Sequence, residues 1–285
     1  EYRAACDAVR AGGERLGLVP TMGALHPAHQ SLMRVARQHS QRVVVTIFVN
    51  PTQFGPNEDF ERYPRDLSGD LQACAAAGVD LVFAPERAEM YPPAEATRVS
   101  VAGLTDGLCG PFRPGHFTGV ATVVTKLFAA TGPCVAVFGR KDYQQLQVIH
   151  RLTRDLLLPV QIVEHATERD PDGLATSSRN RYLSPAERGR ALAIPRALSA
   201  VCERFAAGER DAARLTALLG AELGRAELSI EYAELAGARD LQRVAQGEIQ
   251  PGQVGAFIAA RVGSTRLIDN VILGEDRAPI AAEPA

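Results

Sequence analysis

Residues 16–49 read LGLVPTMGALHPAHQSLMRVARQHSQRVVVTIFV, and this stretch decides the fold class. Its two ends, 16–20 (LGLVP) and 42–49 (RVVVTIFV), are short apolar runs with the texture of strands buried on both faces. Between them, 28–40 carries Leu32, Met33, Val35 and Ala36, which suits a helix. Strand, helix, strand in so short a span is a βαβ unit. The alternation continues outward, with a helix over 67–77, a strand over 80–84, a helix over 117–130, a strand over 134–138, a helix over 142–157 and a strand over 160–165. Such alternation predicts an α/β chain with a doubly wound parallel sheet and right-handed crossovers.

Past about residue 167 the texture changes. A polar loop, TERDPDGLATSSRN, leads into alanine-rich helices over 185–207 and 209–225, then strands over 228–235, 254–262 and 265–273. The reading is a Rossmann-like domain over 1–167 and a smaller C-terminal α+β domain over 168–285. The final stretch, EDRAPIAAEPA, reads as frayed. The chain does not open on Met, and a few further residues are expected before Glu1.

Composition narrows the function. At 285 residues, 46% hydrophobic and 22% charged, the chain can bury a sizeable core. Lys plus Arg is 31 against 33 for Asp plus Glu, a net charge of -2, without the basic excess of a nucleic-acid reader. No apolar run is long enough for a membrane span, and the N-terminal stretch has no basic region followed by an apolar one, so neither a membrane anchor nor a signal peptide is expected. Five widely spaced cysteines with no CxxC read as reduced thiols in a cytoplasmic protein. Only two of the basic residues are lysines, Lys126 and Lys141. A position that keeps Lys where Arg serves elsewhere points to a need for a compact ammonium.

Five segments carry candidate chemistry. The first, Pro20 to His29, follows the first strand and opens the first helix. Pro27 pushes His26 toward an extended conformation, so His29 falls in the helix's first turn. A helix N-terminus with Gly23 beside it suits a phosphate, and two imidazoles could donate to a phosphate as charge develops. From spacing alone, an ordinary loop bearing two histidines stays open. The second segment, Phe48 to Gly55, lies past the second strand, where Asn50 and Gln53 could orient a small polar substrate. The third, Gly110 to Phe117, offers Arg113 and His116 to an anion, or forms only a rigid turn. The fourth, Phe138 to Gln145, sets Lys141 at the mouth of a helix beside Arg140, and Asp142 as a cap or metal contact. The fifth, Thr176 to Arg181, is a basic loop suited to clamp phosphate, or an interdomain linker. Together they argue for an ATP-type ligand in the crevice between the domains.

These segments, PTMGALHPAH, FVNPTQFGPNEDFERYPRD, GPFRPGHFTGVATVVTKLF, FGRKDYQQ and DGLATSSRNRYLS, closely resemble, in order, those of the pantoate–β-alanine ligases. The resemblance covers about residues 16–185 and implies a dimeric cytoplasmic enzyme of the HIGH-motif nucleotidyltransferase superfamily. It implies that pantoate, β-alanine and MgATP give pantothenate through a pantoyl adenylate, releasing AMP and pyrophosphate. It places Met22, Gly23, Ala24, Leu25, His26, Pro27, Ala28 and His29 along ATP, with His29 as proton donor and His26 assisting. It gives Gly139, Arg140, Lys141 and Asp142 to ATP with Lys141 on the phosphates, and Ser177, Ser178 and Arg179 to a closing loop. Glu168 and Thr176 fall at further ATP positions. Gln53 and Gln145 match residues that hold pantoate, with Asn50 close by and Arg113 as a further substrate contact. Asp70 is the candidate magnesium ligand. The chain departs from the usual pattern at Ala28 (usually Gly), Arg140 (usually Glu), Glu168 (usually apolar) and Thr176 (usually Met or Leu), so either tolerance or modestly weaker ATP binding is expected. The alternative reading is an adenylyltransferase of the same superfamily acting on another acceptor, which the Gln53/Gln145 pair speaks against.

Overall fold

The computed structural model describes residues 1–56 and 58–280. They form two compact units, one of residues 1–56, 58–105, 113–140 and 145–166, the other of 106–112, 141–144 and 167–280.

The first unit is built on five strands, β1 (Leu16–Thr21), β2 (Arg42–Ile47), β3 (Leu81–Phe83), β4 (Cys134–Gly139) and β5 (Val160–His165). Their order is β3-β2-β1-β4-β5 and every pairing is parallel. This is the doubly wound sheet that the alternation implies, and its strand order reverses between β1 and β4. Ligands in such sheets sit outside the carboxyl ends of the strands at that reversal.

Side-chain alternation assigns the two faces. Val19, Val43, Val45 and Val137 meet Met33 and Ala36 of helix α2 (Pro27–His39) and Cys74 of helix α3 (Leu67–Ala76) in one cluster. Phe138 points the other way, onto Phe128 of helix α6 (His116–Thr131). Helix α1 (Tyr2–Ala11) is not anticipated by the sequence reading. Alternating Ala and charge hide its narrow apolar stripe, in which Tyr2 stacks on Phe83 at 4.1 Å between centroids and Cys6 is fully buried. The short helix α4 (Arg87–Met90) also belongs to the first unit; α5 (Cys109–Phe112) lies in the second, and α7 (Tyr143–Asp155) begins in the second and continues in the first.

The second unit packs helices α8 (Pro185–Ala191), α9 (Ala193–Ala206) and α10 (Ala212–Leu223) with an antiparallel sheet β6-β7-β8 (Ser229–Gly237, Val254–Val262, Thr265–Ile272). Leu198, Val201, Leu215, Leu219, Ile258 and Val271 lie in its core. The single helix expected over 185–207 is divided at Leu192. Pro195 explains the break, because it has no N–H to give the Ala191 carbonyl one turn back. Of the stretch expected to fray, 275–280 is held in part: the Asp276 carboxylate accepts from the Ile272 N–H, and the Ile280 N–H donates to Ser199 Oγ at 2.9 Å. Residues 281–285 lie outside the described residues.

One glycine ties α6 to the loop after β2. A Cβ on Gly119 would stand 2.3 Å from the Thr52 carbonyl oxygen and 2.7 Å from the Gln53 nitrogen, both backbone atoms that cannot swing aside. In an exposed helix, Gly to Ala stabilises by up to about 1 kcal/mol. Here Gly119→Ala is expected to reverse that sign and lose about 1–3 kcal/mol by overpacking, read from urea denaturation. A stabilised variant would show that this contact is loose.

Candidate active site

The turn after β1 is the most constrained feature of the first unit. Gly23 (φ 77°) and Ala24 (φ 51°) are both left-handed, a conformation that costs an L-residue about 1 kcal/mol or more. The buried carboxylate of Asp70 in α3, 5% exposed, holds them there. Its Oδ2 accepts from the Ala24 N–H at 3.0 Å and its Oδ1 from the Leu25 N–H at 2.7 Å. Thr21 adds a third tie: its hydroxyl accepts from the Gly23 N–H and donates to the Thr46 carbonyl. A Cβ on Gly23 would stand 2.6 Å from Asp70 Oδ2, so the carboxylate's approach requires glycine there. The sequence offered Asp70 to magnesium, but both its oxygens face backbone N–H groups. Among the described residues no group of three His, Cys, Asp or Glu is placed to hold a metal ion.

Past this turn, His26 is extended (φ −141°, ψ 172°) and caps α2, as Pro27 requires. The His29 Nδ1 accepts the His26 backbone N–H at 3.3 Å, and the two rings lie 4.0 Å apart. A ring nitrogen that accepts has no proton, so the neutral His29 carries its proton on Nε2. His29 therefore presents a donor on the side of the ring away from the backbone. Pro27 is exposed, and Ala28 is half-buried in the same first turn.

At the end of β2, Pro51–Gln53 form a single 3-10 turn capped by Asn50. The Gln53 side chain reaches the first segment, with its Nε2 3.1 Å from Met22 Sδ. Asn50 was expected to touch substrate beside Gln53. It is only 1% exposed, and its amide is engaged by Tyr91, Thr52, Gly119 and Gln53. Its amide is committed within the protein.

Arg113 is likewise committed. It forms a two-pronged pair with Glu58 (2.7 and 2.6 Å) and donates to the Gln53 carbonyl, to which the buried His116 is also bonded through Nδ1 at 2.8 Å. Burial alone would raise the Glu58 carboxyl, but Arg113, the Gly55 backbone and His116 bring it below the usual range. Arg113 thus shapes the Gln53 backbone. At the end of β4, Arg140 lies 3.8 Å from Glu164 on neighbouring β5, which gives the unusual arginine an ionic partner. Gln145, in the first turn of α7, is half-buried.

In the second unit, Lys141 lies 3.7 Å from the exposed Asp142, and its carbonyl accepts from Asn270 at 2.8 Å. Gln144, the neighbour of Gln145, is 6% exposed and spent on the Cys109 N–H and the Gly107 carbonyl, so only one of the paired glutamines is available to a ligand. The serine–arginine loop has a built base. Thr176 donates to the Glu168 carbonyl through its N–H and to Asp170 through its hydroxyl. Arg188 bridges Asp170 and Asp172, and its hydrogen bonds hold the Asp172 carboxyl below the usual range. Ser177 caps a 3-10 turn over Ser178–Tyr182 by accepting from the Arg179 N–H.

A family model for pantoate–β-alanine ligase matches residues 1–272. The chain belongs to the pantoate–β-alanine ligase family. Pantothenate synthetase 1 of Bradyrhizobium diazoefficiens is 53% identical, over 96% of this chain and 95% of its own length. The crystal structure of the pantothenate synthetase of Thermus thermophilus superposes with a TM-score of 0.88 at 45% identity, covering 94% of this chain and 97% of that one. The Francisella tularensis ligase, whose crystal structure holds a β,γ-ATP compound and β-alanine, superposes at 0.75 with 31% identity, covering 95% and 94%. The chain is an ATP-dependent pantoate–β-alanine ligase on a Rossmann-like sheet with a small antiparallel second unit.

Sequence reasoning passed over Thr21, Thr52, Tyr91 and Gly119. Only Gly119 carried a signal, as a lone glycine inside a helical pattern. Asp70→Asn would set an amide N–H against one of the two backbone donors. The expected loss is about 1–3 kcal/mol of stability, with weaker ATP binding by calorimetry. Unchanged ATP affinity would refute the role given to this carboxylate.

Proposed function

We propose that the ligase works through an acyl adenylate. A pantoate carboxylate oxygen attacks the α-phosphorus of ATP and expels pyrophosphate. The β-alanine amine then attacks the acyl carbon, and AMP leaves. Because a carboxylate is already a nucleophile, the first step needs no base. It needs charge neutralised at a crowded phosphorus.

The observation that carries this reading is the Asp70-braced turn, which fixes a histidine pair at a helix N-terminus and leaves the His29 Nε2 donor facing away from the backbone. His29, donating through Nε2, and His26 stabilise the phosphate as charge builds. Met22 to Leu25, with Pro27 and Ala28, follow the nucleotide. Gly139, Arg140, Lys141, Asp142, Glu168 and Thr176 are its further contacts, with Lys141, Ser177, Ser178 and Arg179 on the phosphates. Gln53 and Gln145 hold pantoate. Magnesium arrives on ATP's own phosphates, which needs few protein carboxylates.

The net charge of -2 favours small-molecule substrates over nucleic acid, and among the described residues no helix is long and apolar enough to cross a membrane. All five cysteines are free, which suits the reducing cytoplasm. The family resemblance supports a homodimer.

Pyrophosphate release from ATP is expected to require pantoate, and AMP to appear only once β-alanine is added. His29→Ala is expected to slow the pyrophosphate step by about 10²–10³-fold. AMP formation without any pantoate-dependent pyrophosphate release would overturn the adenylate route.

A further inference from the structure

A chain of side chains behind Gln53 fixes which end of its amide faces a ligand. It starts at two backbone groups whose roles cannot change. The Gly119 carbonyl only accepts, and it lies 3.2 Å from one end of the Asn50 amide, which must therefore be Nδ2. The Thr52 backbone N–H only donates, and it lies 3.4 Å from the other end, which must be Oδ1. Oδ1 then receives the Tyr91 hydroxyl at 2.7 Å and lies 2.9 Å from the Thr52 hydroxyl, which also stands 3.1 Å from the Tyr91 oxygen. The remaining hydrogen on Nδ2 goes to Gln53 at 2.9 Å, so that atom must be Gln53 Oε1. By elimination, the end of Gln53 beside Met22 is its NH2 group.

Tyr91 is itself held in place. The Lys126 ammonium lies 4.3 Å from its ring centroid, donates to the Met90 carbonyl at 2.6 Å, and pairs with Glu95 at 3.0 Å. Burial, with a smaller push from the Glu95 charge, raises the phenol's pKa, so it stays a donor across the working pH range. One of the chain's two lysines thus supports the residue that orients Gln53.

We infer that Tyr91 is a positioning residue for pantoate, locking the Gln53 amide through Asn50 so that its NH2 group, one hydrogen of which goes to Met22 Sδ, turns a donor to an oxygen acceptor of the substrate. The inference rests on the reading of Gln53 as a pantoate contact. It deepens that reading by giving the contact a polarity: Gln53 meets a carboxylate or hydroxyl oxygen that accepts, and does not meet a donated hydroxyl hydrogen.

The test compares Tyr91→Phe, Gln53→Ala and the double variant. Tyr91→Phe keeps the ring under Lys126 and removes only the hydroxyl. It is expected to raise the KM for pantoate about fivefold, the scale of one hydrogen bond, to leave the KM for ATP in place, and to lower the melting temperature by no more than a few degrees. In the Gln53→Ala background the same change is expected to add nothing, since no amide is left to orient. An equal rise in the KM of all three substrates, or an equal effect with and without Gln53, would overturn the inference. If Gln53→Ala raises the pantoate KM and Tyr91→Phe does not, the relay alone fails. If Gln53→Ala leaves that KM unchanged, the reading of Gln53 fails and the relay with it. Should Gln53→Ala not fold, Gln53→Glu takes its place, expected to raise the pantoate KM more steeply by putting an acceptor and a charge where a donor is needed. Thr52→Val, removing the other hydroxyl on Asn50, is expected to act in the same direction as Tyr91→Phe.

Discussion

The Asp70 carboxylate is the constraint on which the first unit's chemistry depends. It reaches from α3 to the turn after β1 and accepts from two successive backbone N–H groups. Gly23 takes the left-handed conformation freely, and those bonds hold Ala24 in it against the cost of its Cβ. The turn in turn sets where α2 begins, and so where His26 and His29 stand. An anion in this position does a second thing. It satisfies the Ala24 and Leu25 N–H groups of the turn from inside the protein, so the turn needs no ligand to hold its shape. The residue whose charge suggests a metal contact serves the site better as a brace.

The loop after β2 is stiffened in a different way, by backbone packing and neutral amides. Gly119 lets the backbone of Thr52 and Gln53 lie directly on α6, and the Gly119 carbonyl anchors Asn50. His116 and Arg113 close on the Gln53 carbonyl from the same helix region. A side-chain amide has two faces of similar shape and opposite polarity, so a binding site built on one must specify its orientation. Here the specification comes from peptide groups, which cannot rotate, and passes outward through hydroxyls and amides. Charged groups stay at the periphery of this network, where Glu58 and Lys126 take part through Arg113 and Tyr91.

Much of this was legible in the sequence. The βαβ alternation of 16–49 carries the sheet, and the ordered motifs carry the family, because strand texture and strand-end loops are local properties. What was not legible depends on contacts distant in sequence. Asp70 lies 46 residues from Ala24, and nothing around it tells a helix-turn acid from a brace. Asn50 and Gln53 look equivalent in sequence and both are buried, yet the Asn50 amide is spent on four partners while Gln53 keeps its NH2 end toward Met22. Gln144 and Gln145 differ in the same way. Helix α1 went unseen because its apolar stripe is too narrow to stand out among alanines, and the break at Leu192 because a proline inside a long apolar pattern does not say which side of it the helix ends.

The scarcity of lysine gains a physical meaning at Lys126. Its ammonium meets a carbonyl, a carboxylate and the face of a ring at once. Those three acceptors lie in different directions around one point. A compact tetrahedral ammonium can serve all three, whereas a planar guanidinium spreads its donors in one plane and would give up the ring or the carbonyl. In a chain that otherwise uses arginine, a lysine persists where the geometry is that of a point.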